Sequence, residues 1–189
     1  MNFTCISAFD ASKDIIWSFS YKIDDYNGGN NGGGFTTFLN NLSAFTGGGI
    51  KYGLGYGTYI GPYTNTPNAD GNFLVAAFEN IGNFGTNLYG FISGLSTPIP
   101  NALSIRKNLT FDYITSQPIS DFYIKSSNWQ TLRFQLTNKG SLFRVYYKEK
   151  DFYYKKICEV ETLTAFLVPT KMYIGMSYAT PIIGGDDFK

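Results

Sequence analysis

The sequence contains no histidine, and that one absence removes whole classes of chemistry. Ser-His-Asp and Cys-His nucleophilic catalysis, histidine general-base catalysis and nearly every catalytic zinc site require an imidazole. Cysteine is almost as scarce. Cys5 and Cys158 are the only two, too few for a metal cluster or a disulfide scaffold. Cys158 ends an alternating run and reads as a buried thiol; a Cys5–Cys158 bridge is the alternative if the two ends of the chain meet. Charge is also thin, at 15% of residues with a net of +1. The one basic cluster, Lys148, Lys150, Lys155 and Lys156, reads as solvated hairpin residues, so the concentrated basic stripe of a nucleic-acid groove is missing. No apolar run approaches the length of a membrane span. The segment Met1 to Asp10 lacks a basic stretch followed by a long apolar one, and no secretory signal is expected in this chain. Three Asn-x-Ser/Thr sequons begin at Asn2, Asn41 and Asn108; in a chain this rich in Asn and Thr they read as coincidence.

What is present is aromatic and glycine-rich: 18% of residues are Phe, Trp or Tyr, and 21 are glycine. That profile belongs to turn-rich β proteins that bury Phe and Tyr. A length of 189 residues suits one domain spanning 1–189 with a full core. The strongest stretch runs from Asn72 to Gly85. Alternation puts Phe73, Val75, Ala77 and Glu79 on one face of a strand and Leu74, Ala76, Phe78 and Asn80 on the other. Apolar side chains therefore load both faces, as in a strand inside a two-layer sheet. Its end turns polar, with Glu79, Asn80 and Asn83 among Gly82 and Gly85, and a strand that stops in carboxylate, amides and glycines points to a functional loop.

Ile16 to Asp24 reads as a long half-buried strand with Trp17, Phe19, Tyr21 and Ile23 inward. A Gly-Asn loop over Asn27 to Gly34 precedes a second strand, Phe35 to Leu39. Between Asn40 and Gly61 glycines interleave with Tyr52, Leu54, Tyr56 and Tyr59, a density that lets backbone approach a ligand closely. Leu103 to Arg106 is a short strand. Leu132, Phe134 and Leu136, a turn at Asn138 to Gly140, and Phe143, Val145 and Tyr147 form a β-hairpin. A turn at Glu149 to Asp151 then leads to Phe152 to Val160 and a three-strand meander. Glu161 to Leu167 is a helical turn or a loop, and Met172 to Tyr178 a two-faced strand. About ten strands and no convincing helix predict an all-β antiparallel β-sandwich with jelly-roll crossings.

In order and content these stretches resemble the concanavalin A-like fold of the legume (L-type) lectins. The resemblance rests on Gly33 to Leu39, on Gly47-Gly48-Gly49 with Gly53 to Tyr56, on Phe73 to Asn80 with Asn83-Phe84, on Leu103 to Arg106, and on the Thr131 to Tyr147 hairpin with Met172 to Gly175. It implies a carbohydrate site in which the family's Asp falls on Gly33, its glycine amide on Gly48 and Gly49 within the 47–49 run, and its Asn on Asn83, with Phe84 beside it. The anchoring carboxylate is thus lost. The family's Glu and Asp metal ligands fall on Ala77 and Glu79, and its metal-binding His has no counterpart. A transition-metal site is therefore not expected, while a calcium ion on Glu79, Asn83 and backbone carbonyls stays open. Glucanases of the same fold carry Glu-x-Asp-x-x-Glu; the partial match at Glu149-Lys150-Asp151 has Tyr154 in the last position, so no enzyme is expected.

Two functions follow. One is glycan recognition, since sugar sites combine aromatic faces with amides and backbone N–H groups; on the alternative reading of the same residues, Phe84 and Tyr52 are core or rim aromatics and the glycines serve turns only. The other is a structural, decoration or adhesion role in a virus particle, suggested by a domain that starts at Met1 without a signal and by a C-terminal segment similar to those of viral lectin-like domains. In that setting the partners would be other assembly proteins or copies of the chain. The resemblance also implies a further strand after the position of Phe188; in its absence the sheet is expected to be completed by the N-terminal strand or by a neighbouring molecule.

Overall fold

The computed structural model describes residues 2–4, 7–10, 12–24, 34–41, 59–60, 65–66, 73–79, 81–87, 93–107, 112–119, 128–137, 140–149, 153–161, 171–179 and 187–188. These form β1 (Asn2–Thr4), β2 (Phe9–Asp10), β3 (Ile15–Tyr21), β4 (Ile23–Asp24), β5 (Gly34–Asn40), β6 (Tyr59–Ile60), β7 (Asn65–Thr66), β8 (Phe73–Glu79), β9 (Ala102–Lys107), β10 (Asp112–Pro118), β11 (Gln130–Thr137), β12 (Leu142–Glu149), β13 (Lys155–Glu161), β14 (Lys171–Ala179) and β15 (Asp187–Phe188). The larger sheet runs β1-β14-β5-β8-β9-β10, with β2 also on β14; the smaller runs β13-β12-β11-β3. The strands of both pair antiparallel.

The smaller sheet follows its sequence pattern. β11 alternates buried and half-buried residues, so Leu132, Phe134 and Leu136 point inward while Thr131, Arg133 and Gln135 face out. Register places Phe134 opposite Trp17 on β3 and Val145 on β12. Phe134 stacks on Trp17 at 5.2 Å and on Phe19 at 5.7 Å between ring centroids. Gly140 takes φ +85° in the expected turn and donates its N–H to Thr137 O at 3.1 Å.

The larger sheet is buried on both faces along β5 and β8. One face, with Phe35, Leu39, Leu74, Ala76, Phe78, Leu103, Ile105 and Met172, packs against the smaller sheet. Phe78 meets Phe134 edge-on across the layers at 6.3 Å, and Trp17 Nε1 donates to Thr37 Oγ1 at 3.1 Å. The opposite face carries Phe38, Thr36, Val75, Ala77, Glu79, Ser104 and Arg106, all buried, so something must cover it.

The structure departs from the sequence reading at several points. The strand read over Ile16 to Asp24 breaks at Lys22. Lys22 instead sets its ammonium over the Trp129 ring at 5.8 Å, and β4 pairs with β15. β13 begins at Lys155 rather than Phe152. β10 is a strand with no alternating signal, and its polar residues and Pro118 suit the edge that it occupies. β1 runs along β14, so the N-terminal strand completes that edge. Cys158 is a free, buried thiol, which removes the Cys5–Cys158 bridge; burial pushes it up to about 11. Of the stretch 161–167 only Glu161 is described, and it ends β13.

Candidate functional site

Over the part of the outer face that carries Glu79, Ser104 and Arg106, the cover is the loop that leaves β8. Gly82 turns it back at φ +85°, and a Cβ there would lie 1.8 Å from Ile99 O, so glycine alone fits. Asn83–Gly85 then makes one 3-10 turn. Thr86 donates from both N–H (3.0 Å) and Oγ1 (2.8 Å) to Asn83 O. Gly85 lies directly on the sheet: a Cβ would sit 2.1 Å from Ser116 Oγ and 2.8 Å from Ser104 Oγ. Thr86 bridges to Leu95, and Leu95 N–H donates to Gly85 O at 3.0 Å.

Two buried ionisable residues of the sheet fasten this loop. Glu79, the last residue of β8, accepts the Phe84 N–H on Oε2 at 2.7 Å. Burial pushes its carboxyl up to about 8, against the opposing pull of the Phe84 and Asn83 N–H groups. Arg106 on β9 is 0% exposed. Its Nε donates to Phe84 O at 2.7 Å, Nη2 to Thr86 O at 2.6 Å and Nη1 to Ser93 O at 2.8 Å. The rings of Phe84 and Tyr113 flank the guanidinium at 5.6 and 5.7 Å. One planar fork therefore ties together three points of the covering loop.

Of the residues expected to bind sugar, Gly33, Gly48 and Gly49 lie outside the described residues. Gly34, which follows Gly33, pairs with Glu79, so that end of β5 lies beside the start of the loop. Asn83 is 3% exposed and Phe84 0%. Phe84 therefore presents no face to a ligand; its ring packs on Arg106 and supports the loop from beneath. Of the two readings of Phe84, the core aromatic is the one its burial fits.

The calcium expectation meets a similar obstacle. Calcium takes six to eight oxygens, yet among the described residues no three of His, Cys, Asp and Glu come together. Position 77 is Ala, Glu79 Oε2 is occupied by a backbone amide, and the carbonyls of Phe84, Thr86 and Ser93 accept from Arg106. The described residues do not fit a calcium ion. Sequence reasoning missed Arg106 as a site residue, although Leu103-Ser104-Ile105-Arg106 puts it on the face away from Leu103 and Ile105.

The raised carboxyl of Glu79 has a consequence for stability. The folded state keeps this proton after the unfolded chain has lost it, so stability is fully present below about 4.5 and falls as pH rises towards about 8. Urea midpoints measured across that window should fall in the wild type and stay flatter in Glu79→Gln.

These two layers, with a loop fastened on the outer face of the larger sheet, have the β-sandwich architecture of the legume lectins, the concanavalin A-like fold. Lectin I-B4 from Griffonia simplicifolia, in its metal-free form, superposes with a TM-score of 0.65 at 15% identity, over 99% of this chain and 75% of that one. The Bauhinia forficata lectin in complex with GalNAc gives 0.65 at 12% identity, over 98% and 73%. Lectin I from Ulex europaeus, with the methyl glycoside of α-L-fucose, gives 0.63 at 14% identity, over 98% and 74%. No family profile and no curated protein sequence matches the chain.

Proposed function

We propose that this chain is a non-enzymatic carbohydrate-recognition module whose glycan site is built from the loops at Gly33, Gly48, Gly49 and Asn83. The observation that carries this reading is the fixed loop at 81–87, which starts from Glu79 next to the strand following Gly33. A sugar site needs amides and backbone N–H groups held still at the rim of a sheet, because each hydroxyl is recognised by a directed hydrogen bond. Glu79, Phe84 and Arg106 hold the loop from within; the glycine loops and the turn at Asn83, itself 3% exposed, would supply the polar groups at its rim. Structural neighbours solved with GalNAc and with a fucoside support the ligand class.

A glycan-array screen of the protein and of Asn83→Ala, with melting curves recorded for both, tests the reading. Saturable binding to a glycan is expected, and Asn83→Ala should lose it while still melting cooperatively. An array silent with and without calcium contradicts glycan recognition and points to an assembly role for the fold.

A further inference from the structure

In the covering loop, three backbone carbonyls converge on one positive group and two backbone amides on one carboxyl. Convergent carbonyls of this kind are what a metal ion ordinarily collects in a loop. Here the positive group is the guanidinium of Arg106, bonded to Phe84 O, Thr86 O and Ser93 O at 2.6 to 2.8 Å. The carboxyl of Glu79 takes the Phe84 N–H from the other side at 2.7 Å. We propose that Glu79 and Arg106 hold this loop in place of a metal ion, so that its folded form needs no divalent cation.

Several observations converge on this. Both side chains are at most 1% exposed, and each stands at a fixed place on a paired strand, β8 or β9. They grip consecutive parts of one segment: Glu79 at the amide of Phe84, Arg106 at its carbonyl and again two and nine residues further on. Gly85 is seated directly on Ser104 and Ser116, where a Cβ would clash with both hydroxyls. A guanidinium offers five donors in a rigid plane and stays charged at any working pH. A tethered side-chain cation cannot be removed by chelation, and its contribution does not depend on ion concentration. The inference stands whether or not a glycan binds.

The test uses the wild-type chain melted in chelator and in calcium. A calcium ion at a hundred times its dissociation constant would raise the melting temperature by roughly 5–10 °C for a chain of this size. The expected result is the same melting temperature in both solutions, with no saturable calcium uptake by calorimetry. A rise of that size in calcium, or a fall in chelator, overturns the proposal. Limited proteolysis supplies the second arm. In chelator the wild-type loop at 81–87 should resist cleavage. Arg106→Lys, which keeps the charge but loses the planar fork, should be cut there. A wild-type loop cut only in chelator, or an Arg106→Lys loop that stays intact, would also overturn it.

Discussion

Arg106→Met is expected to destabilise the protein by roughly 3–5 kcal/mol, because it strands three loop carbonyls at about 1–3 kcal/mol for each acceptor left buried and unpaired. Methionine fills part of the space but offers no donor. It also forfeits the two ring contacts of the guanidinium with Phe84 and Tyr113, at 5.6 and 5.7 Å. For a chain of 189 residues such a loss lowers the melting temperature by roughly 6–20 °C. Urea unfolding of the two proteins measures it directly. A difference below about 1 kcal/mol would mean that water reaches Phe84 O, Thr86 O and Ser93 O once the arginine is gone.

Phe134→Ala should cost a similar amount, about 3–5 kcal/mol, by a different mechanism. Its ring stacks on Trp17, Phe19 and Phe143 within the smaller sheet, at 5.2, 5.7 and 6.2 Å. It also meets Phe78 of the larger sheet at 6.3 Å. Removing it opens a void between the layers that aromatic neighbours on paired strands cannot close by sliding. Thermal or urea denaturation should show the loss without a change in far-ultraviolet signal at low denaturant. Phe134→Leu leaves a smaller void and should fall between the two proteins. Equal stability of Phe134→Ala and the wild type would contradict the packing described for this core.

The contrast between these two sites explains how much the sequence revealed. Phe134 was legible because Leu132, Phe134 and Leu136 alternate with Thr131, Arg133 and Gln135, and a strand with one solvated face shows its orientation in its own residues. β8 was legible as two-faced because apolar side chains fill both sets of its alternating positions, and the polar break at Glu79 marked the loop. β10 was not, since Thr115, Ser116 and Gln117 satisfy an edge position without any apolar alternation. The break at Lys22 depends on Trp129 and β15, both distant in sequence, and left no local trace. Within the site, Glu79 and Asn83 drew notice as the polar end of the β8 stretch and through the family resemblance. Arg106 was taken as part of a short strand, because its role depends on a loop folding over the second face of the sheet. Phe84 stood open between a ligand platform and a core aromatic, and its burial against the guanidinium decides for the second. Fold resided in periodic pattern, whereas the clamp resides in contacts between residues 5 to 22 positions apart, which no periodicity records.

The central claim, a lectin-type sheet whose loop is fastened by its own carboxyl and guanidinium, is tested most directly by amide hydrogen exchange at Phe84. This amide donates to buried Glu79 at 2.7 Å while the residue's carbonyl accepts from Arg106. Its exchange should be slow, and equally slow in chelator and in calcium, and it should become fast in Arg106→Lys. Protection at Phe84 that appears only when calcium is present would contradict the account.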